Sequence, residues 1–550
     1  MRSFGRGLAV VLTAAVVLGA DRYHPEGRNG GGEPRGPAPE LDRDYWVTAA
    51  QAHVRARHDA GLGGPGETFA KNIVMFLGDG MSVPTLSAAR TLLGQRRRQL
   101  GEEAELFFET FPTSGMIKTY CVNAQIADSA CSATAYLCGV KANQGTLGLS
   151  AAVPRWNCSA SLDASTHADS IAAWALADGR DAGLVTTTRV THASPAGTFA
   201  TAANRHWEND ADVRGDAVDP ALCPDIAHQL VRTAPGNQFK VILGGGRREF
   251  IPTDTIDEEG ARGRRTDGRN LIEEWKADKV NRSASHQYLW NREQLLAANA
   301  SLPDYVLGLF ENSHMQYHLQ ANNQTEPTLA EMTEVAIRML KRNEKGFFLF
   351  VESGRIDHAH HDNYAELALD ETIAMSDAVQ RAVELLDEED SLVVVTADHA
   401  HVMAHNGYTA RGSNILAASN ARDRNGVPYM TLSYINGPGH RNEVNGLRVD
   451  VTQEPNFGEL QWRSHVEVPL SSETHGGDDV AVFAWGAQHN MFSGLYEQSE
   501  LPHRMGYAGC VGRGLHAAPC TGGAPGSPRA RTAFALAPAL ALLAAFYATA

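Results

Sequence analysis

The sequence predicts an α/β fold, with a largely parallel central sheet flanked by helices on both faces and a turn-rich lobe inserted late in the chain. Three observations lead there. Short β-rich apolar runs recur at residues 73–77, 184–188, 241–243, 347–351, 392–396 and 480–483, and unbroken runs of this length fit strands buried on both faces. Helical patterns at 166–178, 328–341 and 365–386 separate them, and strands alternating with helices imply a mainly parallel sheet. Finally, Asp79, His192 with Ser194, Glu352, and Asp398 with His399 stand just past or at the ends of four different runs, where ligands gather in sheets of this kind. One polar residue at one strand end is common; four such ends together indicate a site.

Taken in order, the chain begins with Arg2 and Arg6 ahead of an apolar stretch, 8–18, closed by Gly19 and Ala20. This is the build of a cleavable signal peptide over 1–20. Residues 21–40 are rich in Gly and Pro without apolar periodicity, which predicts a disordered leader. One large domain is expected over 41–522, starting with a helix over 44–57. It carries two insertions: 247–325, rich in Asn and charge, and 405–472, the turn-rich lobe with Asn436-Gly-Pro-Gly439. No internal repeat is found. The chain closes on an uncharged apolar tail, 533–550, behind a small-residue spacer at 521–527 and the pair Arg529 and Arg531. A transmembrane anchor usually keeps basic residues after its apolar run. Small residues, a spacer and a terminal apolar tail instead match a glycolipid (GPI) attachment signal, with 523–550 as the removed segment.

The 48 basic and 64 acidic residues leave a net charge of −16 with no basic stripe, which argues against nucleic acid as a partner. Seven cysteines in an exported chain allow three disulfides and one thiol, in a pairing that spacing does not give. Glycosylation sequons at Asn157, Asn281, Asn299 and Asn323 agree with export.

The densest chemical signal is Glu352-Ser-Gly-Arg-Ile-Asp357-His358-Ala-His360-His361, two carboxylates and three imidazoles in ten residues after an apolar run. Burying so many ionisable groups is costly without compensation, and oxygen plus imidazole donors suit zinc and magnesium. Asp398-His399 and Thr474-His475-Gly476 add donors of the same kind. Asp128-Ser129-Ala130 precedes a small-residue stretch that suits the start of a helix, a place where backbone amides face an anion. Most instances of that tripeptide elsewhere are plain caps.

Together, Lys71-Asn-Ile-Val-Met-Phe-Leu-Gly-Asp79, Asp128-Ser-Ala, Thr186-Thr-Thr-Arg-Val-Thr-His-Ala-Ser-Pro-Ala-Gly197, Gly354-Arg-Ile-Asp-His358, Thr396-Ala-Asp-His399 and Glu473-Thr-His475 resemble the animal GPI-anchored alkaline phosphatases, in order over almost the whole mature chain. The resemblance implies hydrolysis of small phosphate monoesters through a phosphoserine at Ser129, with two zinc ions and one magnesium. Asp357, His361 and His475 would hold the first zinc, which binds the ester and activates water. Asp79, Ser129, Asp398 and His399 would surround the second, which lowers the serine's pKa. Asp79, Ser194 and Glu352 would hold magnesium with His192 beside them, and Arg205 would clamp phosphate. A calcium site would use Glu259, the Phe310 carbonyl, Glu311 and Glu326. The resemblance further implies Cys158–Cys223 and Cys510–Cys520 disulfides, a buried free Cys138, a homodimer through the lobe and N-terminal helix, and a place on the outer face of the plasma membrane.

Departures stand beside it. Cys131-Ser132 follows the nucleophile where relatives usually carry Gly-Thr, and Cys121 is additional; their spacing permits a bridge without indicating one. Two other readings use the same residues: a sister phosphodiesterase or sulfatase, and a surface binding receptor without catalysis. Cys131-Ser-Ala-Thr lacks the Pro and Arg of a sulfatase modification motif, and no metal-ligand position is missing as an inactive receptor would have it.

Overall fold

The computed structural model describes residues 36–63, 68–517 and 520. The signal peptide, most of the leader and the C-terminal tail lie outside the described residues.

Ten strands form the central sheet: β1 (Asn72–Gly78), β2 (Thr113–Lys118), β3 (Asp181–Arg189), β4 (Val241–Gly245), β5 (His286–Leu289), β6 (Tyr305–Leu309), β7 (Phe347–Ser353), β8 (Ser391–Ala397), β9 (Val480–Gly486) and β10 (Gly494–Glu497). Their order is β10-β2-β9-β8-β1-β7-β3-β4-β6-β5. The run from β8 to β5 is parallel throughout. Every residue of β1, β7 and β8 is buried, as apolar β-branched and aromatic text sandwiched between layers requires.

The run at 480–483 behaves differently from the expectation. β9 lies antiparallel to both β8 and β2 and alternates buried with half-buried positions, since only one of its faces is fully covered. The segment 247–325, expected as an insertion, supplies β5 and β6, the far edge of the same sheet.

Helices surround the sheet. α1 (Arg43–Asp59) is capped by Asp42. α2 (Ser129–Cys138) starts at Asp128, whose carboxylate accepts the amides of Ala130 and Cys131, and stops at Gly139 in the left-handed region. α3 (Leu329–Leu340) carries a reciprocal cap between Thr328 and Glu331. α4 (Arg355–His361) and α5 (Ala365–Leu385) follow β7 directly. The helix expected over 166–178 is shorter, Ile171–Ala177, because Ser170 turns its hydroxyl to the Ala173 amide and caps it. Residues 405–472 hold short strands, including Ala418–Arg422 against Pro428–Met430, and no α-helix.

Candidate active site

Strand register explains why distant residues converge. β8, β1, β7 and β3 are consecutive in the sheet; Leu77 stands opposite both Glu352 and Thr396, and Thr186 opposite Glu352. Asp79 and Asp398 therefore leave their strands at one level, two residues beyond this row. Gly80 makes the turn after Asp79 at φ +68, and a Cβ there would collide with the His401 ring.

α4 carries Asp357 and His361 one turn apart, on one face. His361 Nε2 lies 3.4 Å from Asp357 Oδ2, and His475 Nε2 lies 3.2 Å from His361 Nε2 and 3.5 Å from Asp357 Oδ1. His361 donates its Nδ1 proton to the Glu473 carbonyl, and His475 donates its Nδ1 proton to the Ala127 carbonyl at 2.7 Å. Both Nε2 lone pairs thus face each other beside a carboxylate, the donor set of a zinc site. His358 and His360, equal candidates by sequence, turn elsewhere. His358 meets Arg355 at 2.8 Å, while His360 bridges Tyr434 at 2.8 Å and Thr85 at 3.0 Å.

The second group holds Asp79, Asp398 and His399. His399 Nε2 is 3.2 Å from Asp398 Oδ2, 3.6 Å from Asp79 Oδ1 and 3.3 Å from Ser129 Oγ. Ser129 is the first residue of α2 and fully buried. In the third group Asp79, His192 and Glu352 present potential ligand atoms within 4.8 Å of one another. Glu352 Oε2 accepts the hydroxyls of Thr186 and Thr188. Ser194 is buried in the one-turn helix Ala193–Ala196, two residues past His192.

Arg205, buried, ties the centres together: Nη1 donates to Asp128 Oδ2 at 3.0 Å and Nη2 approaches His192 Nε2 at 3.3 Å. Asp128 in turn accepts the Gly145 amide at 2.9 Å.

The electrostatics call for cations. Burial, then Asp398, Asp357 and Glu352, drive the Asp79 carboxyl well above its ordinary range. Neither of its oxygens has a hydrogen-bond partner, nor has Glu352 Oε1. Orphaned buried carboxylates of this kind are expensive unless a metal neutralises them. Burial holds His399 well below 6.5 and His361 at about 3, so both rings are neutral and able to ligate. The oxygen and imidazole donors of these groups fit divalent metal ions.

The four calcium candidates are gathered less tightly. Burial, together with the neighbouring Glu311 and Glu259, pushes Glu326 up to about 8. Glu259, however, is paired with Arg247 at 2.6 Å, and Phe310 is buried with its amide on Gly244.

Comparison with known proteins decides the family. The alkaline phosphatase family profile matches residues 70–511. The chain belongs to the alkaline phosphatase family. It is 64% identical over 507 residues to the membrane-bound alkaline phosphatase of Bombyx mori, covering 92% of each chain. It is 45% identical over 485 residues to the tissue-nonspecific isozyme of Rattus norvegicus, covering 87% of this chain and 91% of that one. Among solved structures, the Thermus thermophilus alkaline phosphatase superposes with a TM-score of 0.58 at 23% identity, covering 83% of this chain and 94% of its own. The enzyme of the Antarctic bacterium TAB5 does so at 0.56 and 20%, covering 81% and 100%. This alkaline phosphatase is therefore a metal-dependent hydrolase of phosphate monoesters.

Sequence reasoning missed several of its residues. His401 lies between Asp357 Oδ1, at 2.6 Å, and Glu473 Oε2, and Glu473 Oε1 accepts the Val402 amide at 2.8 Å. The alternation Asp398-His399-Ala-His401 was the available signal. Asp128, Thr186 and Thr188 stand inside the quoted motifs, but nothing in the sequence assigned them a role. The Cys158–Cys223 and Cys510–Cys520 bridges are formed, Cys138 is free and buried, and Cys121–Cys131 is also bridged.

Proposed function

We propose that this phosphatase works through a covalent phosphoserine at Ser129, with two zinc ions and one magnesium ion bound by the three groups described. Asp357, His361 and His475 would hold the first zinc, Asp79, Asp398, His399 and Ser129 the second, and Asp79, Glu352, Ser194 and His192 the magnesium. When bound, these ions act as Lewis acids that neutralise the buried carboxylates and favour the ionised forms of the serine hydroxyl and of water. The observation that carries the reading is that Ser129 Oγ and the Arg205 guanidinium both border these donor groups, linked through Asp128.

Ser129 Oγ forms a bond to phosphorus as the ester's alcohol leaves. Water then cleaves that phosphoserine, releasing phosphate and restoring the hydroxyl. Arg205 offers a planar fork to two phosphate oxygens, held in place by the Asp128 carboxylate. A calcium ion at Glu259, Phe310, Glu311 and Glu326, a homodimer through the lobe and α1, and a GPI anchor complete the proposal.

Radiolabelled phosphate trapped at low pH tests it. Label should appear on Ser129 in wild type and in Arg205→Ala, and vanish in Ser129→Ala, whose turnover should fall by several orders of magnitude. Arg205→Ala should weaken substrate and inorganic phosphate together, by about 1.5–3 kcal/mol per lost charged hydrogen bond. Label on any other residue would reject the mechanism.

A further inference from the structure

The segment between β2 and α2 crosses from the second strand of the sheet to the nucleophile without regular structure. Its last residues place three groups. The Ala127 carbonyl accepts the Nδ1 proton of His475 at 2.7 Å and so aims the opposite nitrogen at the first metal group. The Asp128 carboxylate holds Arg205 at 3.0 Å and the Gly145 amide at 2.9 Å. Ser129 follows, with its hydroxyl 3.3 Å from His399 Nε2. Few backbone bonds hold this segment: Cys121 and Ala124 bond one another, and the Val122 amide donates to the Ala142 carbonyl at 3.0 Å. One covalent tie closes it. Cys121 and Cys131 are bridged across ten residues, with Cα atoms 5.9 Å apart, and both are buried with Ala127 and Ala142 in a small apolar cluster. The ring so closed contains Ala127, Asp128 and Ser129.

We infer that the Cys121–Cys131 disulfide is a positioning device for the nucleophile, fixing Ser129, the Asp128–Arg205 clamp and the His475 orientation as one unit. A crosslink between the start of an irregular loop and the first turn of the following helix removes the loop's freedom to slide along the helix axis. The reacting geometry tolerates little such movement, since a displacement near 1 Å costs on the order of a hundredfold in rate. The inference rests on the roles proposed above for Ser129 and Arg205.

The protein supplies its own control. Cys510–Cys520 also spans ten residues, so loop-entropy effects on stability are matched, but it lies at the far end of the described chain and holds no site residue. In zinc- and magnesium-loaded protein, Cys121→Ser/Cys131→Ser should lower kcat by roughly tenfold and raise the inhibition constant of inorganic phosphate several-fold. Cys510→Ser/Cys520→Ser should leave both near wild type. Each single variant, Cys121→Ser or Cys131→Ser, should match the double, because one bridge is lost in every case. Equal effects of the two pairs on kcat, or an unchanged kcat and phosphate constant in the first pair, would overturn the inference. Should the serine pair not fold, folded wild type reduced by a phosphine, with thiols counted by alkylation after quenching, gives the same decision: kcat falls as Cys121 and Cys131 open, or the inference is wrong. Absence of trapped label on Ser129 would instead reject the mechanism it rests on.

Discussion

His401 lies buried between two carboxylates, and although burial alone would lower its pKa, Glu473 and Asp357 raise it to about 10. The ring contacts Asp357 Oδ1 at 2.6 Å and holds that carboxylate in one rotamer, while Glu473 supplies the other half of the clamp. A group that orients a metal ligand commonly governs metal affinity by ten- to a hundredfold. His401→Ala should lose zinc from the first group with affinity reduced on that order, read by competition with a chromogenic chelator; unchanged affinity would show that Asp357 needs no such support. Glu208 is a second case. Burial pushes its carboxyl up, but Arg189, donating at 2.7 and 2.6 Å, holds it at about 2 against an ordinary value of 4.5. A carboxylate depressed by folding stabilises the native state in full above its unfolded pKa, and that contribution is lost as pH falls through the folded value. The stability difference between wild type and Glu208→Gln should therefore be largest above about pH 4.5 and shrink toward pH 2, as acid unfolding monitored by circular dichroism would show. A difference independent of pH would mean that Glu208 does not act through its charge.

Elements turn these residues into a site by register and by caps. Three adjacent parallel strands, β8, β1 and β7, end at one level, which aligns Asp79, Glu352 and Asp398, and the short α4 starts within two residues of β7, which brings Asp357 and His361 beside them. Packing behind this frame is aromatic and close: Tyr136 of α2 stacks on Phe350 of β7 with centroids 6.3 Å apart, so the nucleophile's helix rests on the strand that carries Glu352. Stability and chemistry separate at α3, which contributes no site residue. Its Thr328 hydroxyl accepts the Glu331 amide at 3.2 Å, and Thr328→Ala should cost about 1 kcal/mol in thermal or denaturant unfolding with kcat unchanged. A fall in kcat at full folding would place α3 in the catalytic frame after all.

For the whole molecule, the question is whether it is anchored to a membrane. Among the described residues no helix is long and apolar enough to cross one, and the Bombyx mori relative is named membrane-bound. The uncharged tail at 533–550 is the remaining apolar segment at that end of the sequence. If it is exchanged for a lipid, a phospholipase specific for glycosylinositol anchors should release activity into the medium, and an antibody against the tail should find nothing on mature protein. Activity that stays with the membrane, together with a detectable tail, would assign the anchor to a transmembrane helix instead.

The parallel sheet and the gathering of carboxylates and imidazoles at its strand ends were legible in the linear text. Apolar runs report burial wherever they occur, and carboxylates and imidazoles that follow such runs have few other reasons to be there. What tertiary structure decided were choices between neighbours of equal chemistry. Asp357 and His361 face the centre while His358 and His360 do not, because a helix turn separates them by angle and not by composition. β9 reversed direction although its text resembles its parallel neighbours, since orientation depends on the connection and not on the run. His401 and Glu473, far apart in sequence, became one clamp only when the strand holding His401 paired with that holding His475. The Cys121–Cys131 bridge, too, required two cysteines of undetermined partners to meet in space, and spacing alone carries no information about that distance.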